Sequence, residues 1–328
     1  MRKNKFNISE KAFRIIEDSV LLEGFNYDAS TVFPSGKDYF KTIDKDTVVA
    51  FLECPDTEVV AVKTGSNNYE LVATNRQANE SIRISGLGNH FVALVRVVLQ
   101  AKKQLANPTE PKITNNFIKS INEQLLLNRM GEVAIGSYRY KDFWGRDADV
   151  SICSIENGRK IRQSTFNTEP SADKNVYKKM DELVNWVNND AFKDSESIMY
   201  DIAKFHSTFI RIYPFRDGNG RTARLLTNYL LLINGYPLVN IPPAGVKQYH
   251  CAINYAEATT DKDFCRDDYY NNAYAYYAKR FGKRDDVTKY CPLADFFERH
   301  LLESSNTLIN NIINYKNTQS HIESTQIQ

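Results

Sequence analysis

Apolar residues along the chain recur mostly at a spacing of three and four, with two interruptions where the period drops to two. Near the start, Ala12, Phe13, Ile16, Val20 and Leu21 fall on one stripe behind Ser9 and Glu10, and Gly24 stands where a helix would stop. This predicts a helix from Glu10 to Leu22. From Tyr27 to Ser85 the pattern shortens to β-branched pieces, Thr47 to Phe51, Glu58 to Lys63 and Tyr69 to Ala73, separated by Pro55-Asp56 and by Gly65 to Asn68. These read as strands of a small inserted β region. Helical spacing returns at Asn89 to Leu105 and Thr114 to Leu127, and later at Lys174 to Asn188, Glu196 to Ile212, Arg221 to Asn234 and Val246 to Thr259. Between the two groups, extended runs on either side of Asn157-Gly158 predict a β-hairpin, because that dipeptide suits the tight turn whose twist matches paired strands. The segment from Ser304 to Gln328 is dominated by Asn, Ser, Thr and Gln and holds one weak apolar stripe through Leu308, Ile312 and Ile313.

The fold class expected from this pattern is mainly α, a helical core with a β-hairpin and a small N-terminal β region. Three parts are expected: an N-terminal region at 1–84, a core at 85–260, and a C-terminal helical extension with a polar tail at 261–328. Composition agrees with a folded chain, since 42% of the residues are hydrophobic and 25% charged. With 42 Lys and Arg against 40 Asp and Glu, the charge excess is too small for a protein that binds nucleic acid by neutralising phosphates, and no nucleic-acid partner is expected. The five cysteines are scattered, with no C-x-x-C pair, which suggests neither a disulfide framework nor a zinc site. No stretch approaches eighteen apolar residues and the basic Met1 to Lys5 leads into no apolar run, so a cytoplasmic protein without a membrane partner is expected.

The chemistry concentrates in Ile212 to Arg224, where one amphipathic helix ends, a glycine-rich turn follows and a second helix begins. Ile198, Ile202, Phe205, Phe209 and Ile212 make the stripe of the first helix, and Pro214 cannot continue it, which delivers Tyr213 at its C-terminal end. Gly218, Asn219 and Gly220 lead into the second helix, read as opening at Arg221, whose unpaired N–H groups and dipole favour an anion. Arg221 and Arg224 lie three apart on one helical face and offer planar donor forks to phosphate oxygens, while Asp217 is the hard oxygen ligand that Mg²⁺ takes when it shares coordination with phosphates. Together these residues describe a polyphosphate site. His206 lies ~10 Å back along the first helix and reads as a packing residue.

Phe215, Asp217, Gly218, Asn219, Gly220, Arg221 and Arg224 match the signature of the Fic family, His-x-Phe-x-Asp/Glu-Gly-Asn-Gly-Arg-x-x-Arg, and the chain resembles that family over roughly residues 85 to 260. The resemblance implies a Fic-like helical core and transfer of AMP from ATP to a Ser, Thr or Tyr hydroxyl of a target protein, with Mg²⁺ as cofactor and self-modification as an option. It implies that Asp217 holds the metal, that Gly218 to Gly220 with the Asn219 side chain line the anion hole, and that Arg221 and Arg224 contact the phosphates. The segment Ser137 to Arg139 and the hairpin around Ser151, Ile152 and Cys153 resemble the family's flap, which implies that Tyr138, Arg139 and those strand residues dock an extended target segment by β-augmentation. Ser19 to Gly24 resembles the family's inhibitory motif, Ser/Thr-x-x-x-Glu-Gly/Asn, which implies that Glu23 occupies Arg224 and blocks the γ-phosphate.

One departure bears on the activity. Tyr213 stands where the family carries its catalytic His, and a neutral phenol, with an ordinary pKa of about 10, is a poor general base at neutral pH. Loss of a positioned base removes ~10²–10⁴-fold in rate, so the expected enzyme is strongly impaired. Two other readings stay open: a Fic-like phosphotransferase, which the intact Gly218-Asn219-Gly220-Arg221 run disfavours, and a non-catalytic, nucleotide-dependent binding module in which Tyr213 is native.

Overall fold

In the computed structural model the period-3.6 segments form helices and the period-2 segments form two antiparallel sheets. The structure describes residues 29–32, 38–39, 57–63, 69–75, 80–84, 87–127, 135–139, 150–156, 159–166, 172–193, 198–257 and 287–301. The expected helix at Glu10 to Leu22, the expected strand at Thr47 to Phe51 and the polar tail lie outside these residues.

The N-terminal sheet contains β1 (Ala29–Val32), β2 (Asp38–Tyr39), β3 (Thr57–Lys63), β4 (Tyr69–Asn75) and β5 (Glu80–Ile84), in the spatial order β2-β1-β5-β4-β3. Leu71 pairs with Ile84 and Ala73 with Ile82, so Leu71, Ala73 and Ile82 share one pleat face, and all three are buried. That face rests on α1 (Leu87–Ala106). The second sheet is the expected hairpin: β6 (Val150–Glu156) and β7 (Arg159–Phe166) pair antiparallel, with Glu156 opposite Arg159.

The helices after α1 are α2 (Asn115–Leu126), α3 (Ala172–Asn189), α4 (Ile198–Ile212), α5 (Asn219–Ile233), α6 (Val246–Glu257) and α7 (Val287–Arg299). Thr114 caps α2, its hydroxyl accepting the Phe117 N–H at 3.1 Å. The α4 stripe forms as its spacing predicts, with Ile202, Phe205, Phe209 and Ile212 buried. In α5, Leu225, Leu226, Tyr229, Leu230 and Leu231 cover more than one face and all are buried, so this helix is surrounded and packs on α1, α2 and α4.

The buried cluster draws on the sheet and on the C-terminal helix as well as on the helices between them. Leu71 and Ile82 of the sheet belong to the same buried cluster as the helices, and so do Cys291, Leu293, Phe296 and Phe297 of α7. α7 packs on α4 and α6, and the Asn240 N–H donates to the His300 carbonyl at 3.1 Å.

A helix buried on all sides must also satisfy its polar side chains. Asn228 exchanges bonds with the Val239 backbone, its Oδ1 accepting the N–H at 2.8 Å and its Nδ2 donating to the carbonyl at 3.3 Å. Thr227 meets His206 Nδ1 at 2.7 Å, and the Tyr249 hydroxyl meets His206 Nε2 at 2.7 Å, so one fully buried imidazole joins α4, α5 and α6. His206 is thus the packing residue its sequence position suggested. Burial, followed by the nearby Arg224 charge, lowers its pKa from 6.5 to about 3.

The unfolded chain therefore takes up a proton near pH 6.5 that the folded chain refuses until about pH 3. The stability from a neutral His206 is complete above the upper value and falls, as pH drops, by about 1.4 kcal/mol per unit. Urea unfolding at pH 7 and pH 5 should show the native chain losing about 2 kcal/mol more than His206→Gln, which cannot titrate. Equal losses would mean that this imidazole is protonated in the folded protein.

Candidate functional site

The site is built where α4 ends and α5 begins. Tyr213 continues the hydrogen bonding of α4, its N–H donating to the Phe209 carbonyl at 3.0 Å, but it has φ +50° and so leaves the helix in the left-handed region. For a residue with a Cβ this costs ~1–2 kcal/mol, and the following Pro214 restricts it further. Tyr213 itself is half-buried, while Pro214 and Phe215 turn inward. The Phe215 ring lies 5.2 Å from the Tyr138 ring and 6.3 Å from that of Phe209, centroid to centroid.

Gly218 is the N-cap of α5, with φ +74°. A Cβ there would stand 3.0 Å from Asn122 Nδ2 and 3.4 Å from Leu126 Cδ2, so both conformation and space call for glycine. The helix opens at Asn219, two residues before the expected start, and its first internal bond runs from the Thr222 N–H to the Gly218 carbonyl at 2.8 Å. The N–H groups of Asn219, Gly220 and Arg221 thus precede the intrahelical ladder, the arrangement that favours an anion.

Asp217 sits just before this terminus. One carboxylate oxygen accepts the Gly218 N–H at 2.6 Å and the other accepts Arg221 Nη2 at 3.3 Å. The Asp217 side chain is 37% exposed, whereas the side chain of Arg221 is only 3% exposed. Arg224, one turn on, is also buried, and its charge bears on His206. Asp217 is a single partly exposed carboxylate, which fits Mg²⁺ held jointly with phosphates and water better than a cage of protein ligands.

One expectation is corrected. The Asn219 side chain does not line an anion hole. It is buried, with Oδ1 accepting the Phe215 N–H at 2.9 Å and Nδ2 donating to the Phe215 carbonyl at 2.8 Å, and so staples the loop from within. Tyr138 and Arg139 do not lie on the strands of the hairpin. Both are buried beneath the loop. The Tyr138 phenol, its pKa raised by burial and then by the Asp181 charge, donates to Asn115 Oδ1 at 2.7 Å. Arg139 donates from Nε to the Tyr213 carbonyl at 2.6 Å, from Nη2 to the Ile212 carbonyl at 3.2 Å, and from its backbone N–H to the Pro214 carbonyl at 2.7 Å.

Ser151, Ile152 and Cys153 do lie on a strand, β6, whose register with β7 shifts between Ile152 and Cys153. Ser19, Glu23 and Gly24 fall outside the described residues.

One residue of the site was not anticipated. Asn122 Nδ2 donates to the Asp217 carbonyl at 3.0 Å and contacts the Thr222 hydroxyl at 3.3 Å, while its Oδ1 accepts the Gly136 N–H at 3.4 Å. The signal available for it is a fully buried amide in line with the apolar positions Ile118, Ile121 and Leu125.

Residues 112–231 match the Fic/DOC family. This span runs from the start of α2 to the end of α5 and includes the loop just described. The similarity to the Fic/DOC family is to that part of the chain. It is 31% identical over 97 residues to protein adenylyltransferase fic-1 of Caenorhabditis briggsae, covering 30% of this chain and 19% of that protein. Against protein adenylyltransferase Fic of Drosophila grimshawi the identity is 37% over 87 residues, covering 26% and 18%. The matched segment therefore spans less than a fifth of these curated relatives. A Fic-domain signaling protein of Bacteroides thetaiotaomicron superposes with a TM-score of 0.49 at 18% identity, over 93% of this chain and 85% of that one. Fic-1 of Caenorhabditis elegans superposes with a TM-score of 0.46 at 17% identity, over 95% and 66%. Among the described residues no helix is long and apolar enough to cross a membrane.

Gly218→Ala should lower stability by about 2 kcal/mol, from the left-handed cost and the contact with Asn122. Gly235 also has positive φ, +80°, but nothing lies within 4 Å of a Cβ there, so Gly235→Ala bears only the conformational part. Thermal melts should place Gly218→Ala clearly below Gly235→Ala. The reverse order would mean that the Asn122 contact relaxes at no cost.

Proposed function

We propose that the chain binds Mg²⁺ with ATP at the α4–α5 junction and is an adenylyltransferase acting on protein hydroxyls, strongly impaired by Tyr213. The observation that carries the reading is the α5 terminus itself: three N–H groups ahead of the helical ladder, buried Arg221 and Arg224, and Asp217 within one turn. The adenylyltransferase names of the relatives support AMP as the group transferred.

In this reading the backbone at Gly218 to Gly220 receives phosphate oxygens, Arg221 holds the nearer phosphates and Arg224 the γ-phosphate. Asp217 would hold Mg²⁺, which would supply charge neutralisation along the polyphosphate when bound. Binding such a metal would ask Asp217 to share or exchange its contact with Arg221, and its exposure leaves room for that. A target hydroxyl, on another protein or on the chain itself, attacks the α-phosphate, a P–O bond forms and pyrophosphate leaves. The hydroxyl proton has no efficient acceptor while residue 213 is a phenol.

The target segment is proposed to lie extended along β6 at Ser151 to Cys153, adding a strand to the two-stranded sheet. Glu23 is proposed to pair with Arg224 and to hold the nucleotide out of its productive position.

Isothermal titration should detect Mg²⁺–ATP binding that Asp217→Ala and Arg221→Ala weaken. Tyr213→His should raise transfer of α-label by about 10²-fold or more, and combining it with Glu23→Gly should raise it further. Transfer of γ-label alone would mark a kinase. Absence of nucleotide binding, with or without Glu23, would end the phosphate-site reading.

A further inference from the structure

We infer that Arg139 is a positioning residue: by clamping three consecutive carbonyls at the end of α4 it holds residue 213 in the left-handed conformation and so sets where that side chain points. The inference rests on the proposed reading of position 213 as the proton-accepting position, and it adds a residue outside the signature loop to that machinery.

Tyr213 is one of two non-glycine residues with positive φ among the described residues, and it is the one followed by proline. A bulky residue before proline has little reason to stay in that region unless its surroundings over-determine it. Arg139 meets that need. Its Nε, Nη2 and backbone N–H donate to the carbonyls of Tyr213, Ile212 and Pro214 at 2.6, 3.2 and 2.7 Å, so the peptide units on both sides of Tyr213 are held from one residue. Rotating Tyr213 toward an extended conformation would swing at least two of these carbonyls away.

The clamp is itself braced. Asn122 accepts the Gly136 N–H, and Tyr138 is fixed by its bond to Asn115 and by its ring against Phe215. Arginine suits the place. A planar fork reaches two neighbouring carbonyls at once, and its charge faces the negative end of the α4 dipole, which eases the burial of a guanidinium only 3% exposed. Lysine would keep the charge and lose the fork.

Two measurements on the full chain test the inference. The first needs no activity: melting temperatures of the native chain, Arg139→Gln, Tyr213→Gly and the double variant. If Arg139 maintains a strained conformation, Tyr213→Gly relieves strain only while Arg139 is present. Its shift in melting temperature should then differ between the two backgrounds by roughly 2–4 °C. Additive shifts overturn the inference. If Arg139→Gln does not fold, Arg139→Lys takes its place in the cycle.

The second is made in the Tyr213→His background. Arg139→Lys should lower kcat for AMP transfer by about 10²-fold through misplacement of the base. Mg²⁺–ATP affinity should stay within about threefold, since Arg139 touches no proposed phosphate ligand. An unchanged kcat overturns the inference, and a parallel loss of affinity assigns Arg139 to general loop stability instead. If Tyr213→His binds Mg²⁺–ATP but transfers no AMP even with Glu23→Gly, the reading of position 213 fails, and the melting cycle alone decides whether Arg139 holds it.

Discussion

Between Ile212, the last residue of α4, and Asn219, the first of α5, the chain leaves one helix and enters the next while both helix ends are buried. Buried helix ends leave carbonyls and N–H groups that water cannot reach, and each must find a partner inside the protein. Some partners come from within the loop and its helix, and others from far along the chain. Arg139 takes the carbonyls of Ile212, Tyr213 and Pro214, Asn219 takes both backbone groups of Phe215, Asn122 takes the Asp217 carbonyl, and the Thr222 N–H takes that of Gly218. The loop therefore has its shape only when α2 and the 135–139 segment are docked, and whatever it binds is bound by the folded domain rather than by a local motif.

The same constraint continues into α5. A surrounded helix carrying Thr222, Thr227 and Asn228 is tolerable only because each meets a fixed partner: Asn122, His206 and the Val239 backbone. These bonds tie the proposed phosphate-binding face to α2, to α4 and α6, and to the strand-like segment that pairs with Leu301. His206 stays neutral because it is buried and lies near Arg224. A second buried cation beside that guanidinium would be costly, which is why the imidazole serves as a hydrogen-bonding bridge and not as a proton store.

How much was legible follows from how local each signal is. α4 and α5 show in the apolar spacing and the hairpin shows in Asn157-Gly158, since these are set by neighbours a few residues away. The start of α5 was placed late because glycine and asparagine read as loop, whereas Gly218 is a left-handed cap and Asn219 is already helical. Pro292 lies inside α7, where proline ordinarily breaks a helix, yet Cys291, Leu293, Phe296 and Phe297 bury enough surface around it to keep the helix. Tyr138 and Arg139 were assigned to docking through the resemblance of their segment to the family's flap, and nothing local says that the partner of Arg139 stands 74 residues away. Asn122 shows the same limit: its bond to Asp217 spans 95 positions.

The charges at the junction carry the argument one step further. The C-terminal end of α4 and the N-terminal end of α5 present opposite dipole ends at the two sides of one loop, and each is already compensated, by Arg139 on the first and by Asp217 on the second. A bare phosphate approaching α5 would meet the Asp217 carboxylate, which lies against Arg221 at the place such an anion would seek. A phosphate carrying Mg²⁺ would meet a ligand instead of a repelling charge, and the released guanidinium could turn to the phosphate oxygens. In the proposed reading the Asp217–Arg221 pair would disfavour anions that arrive without a divalent cation, and selectivity for a metal-bound polyphosphate over a simple phosphate would follow from the pairing of these two residues.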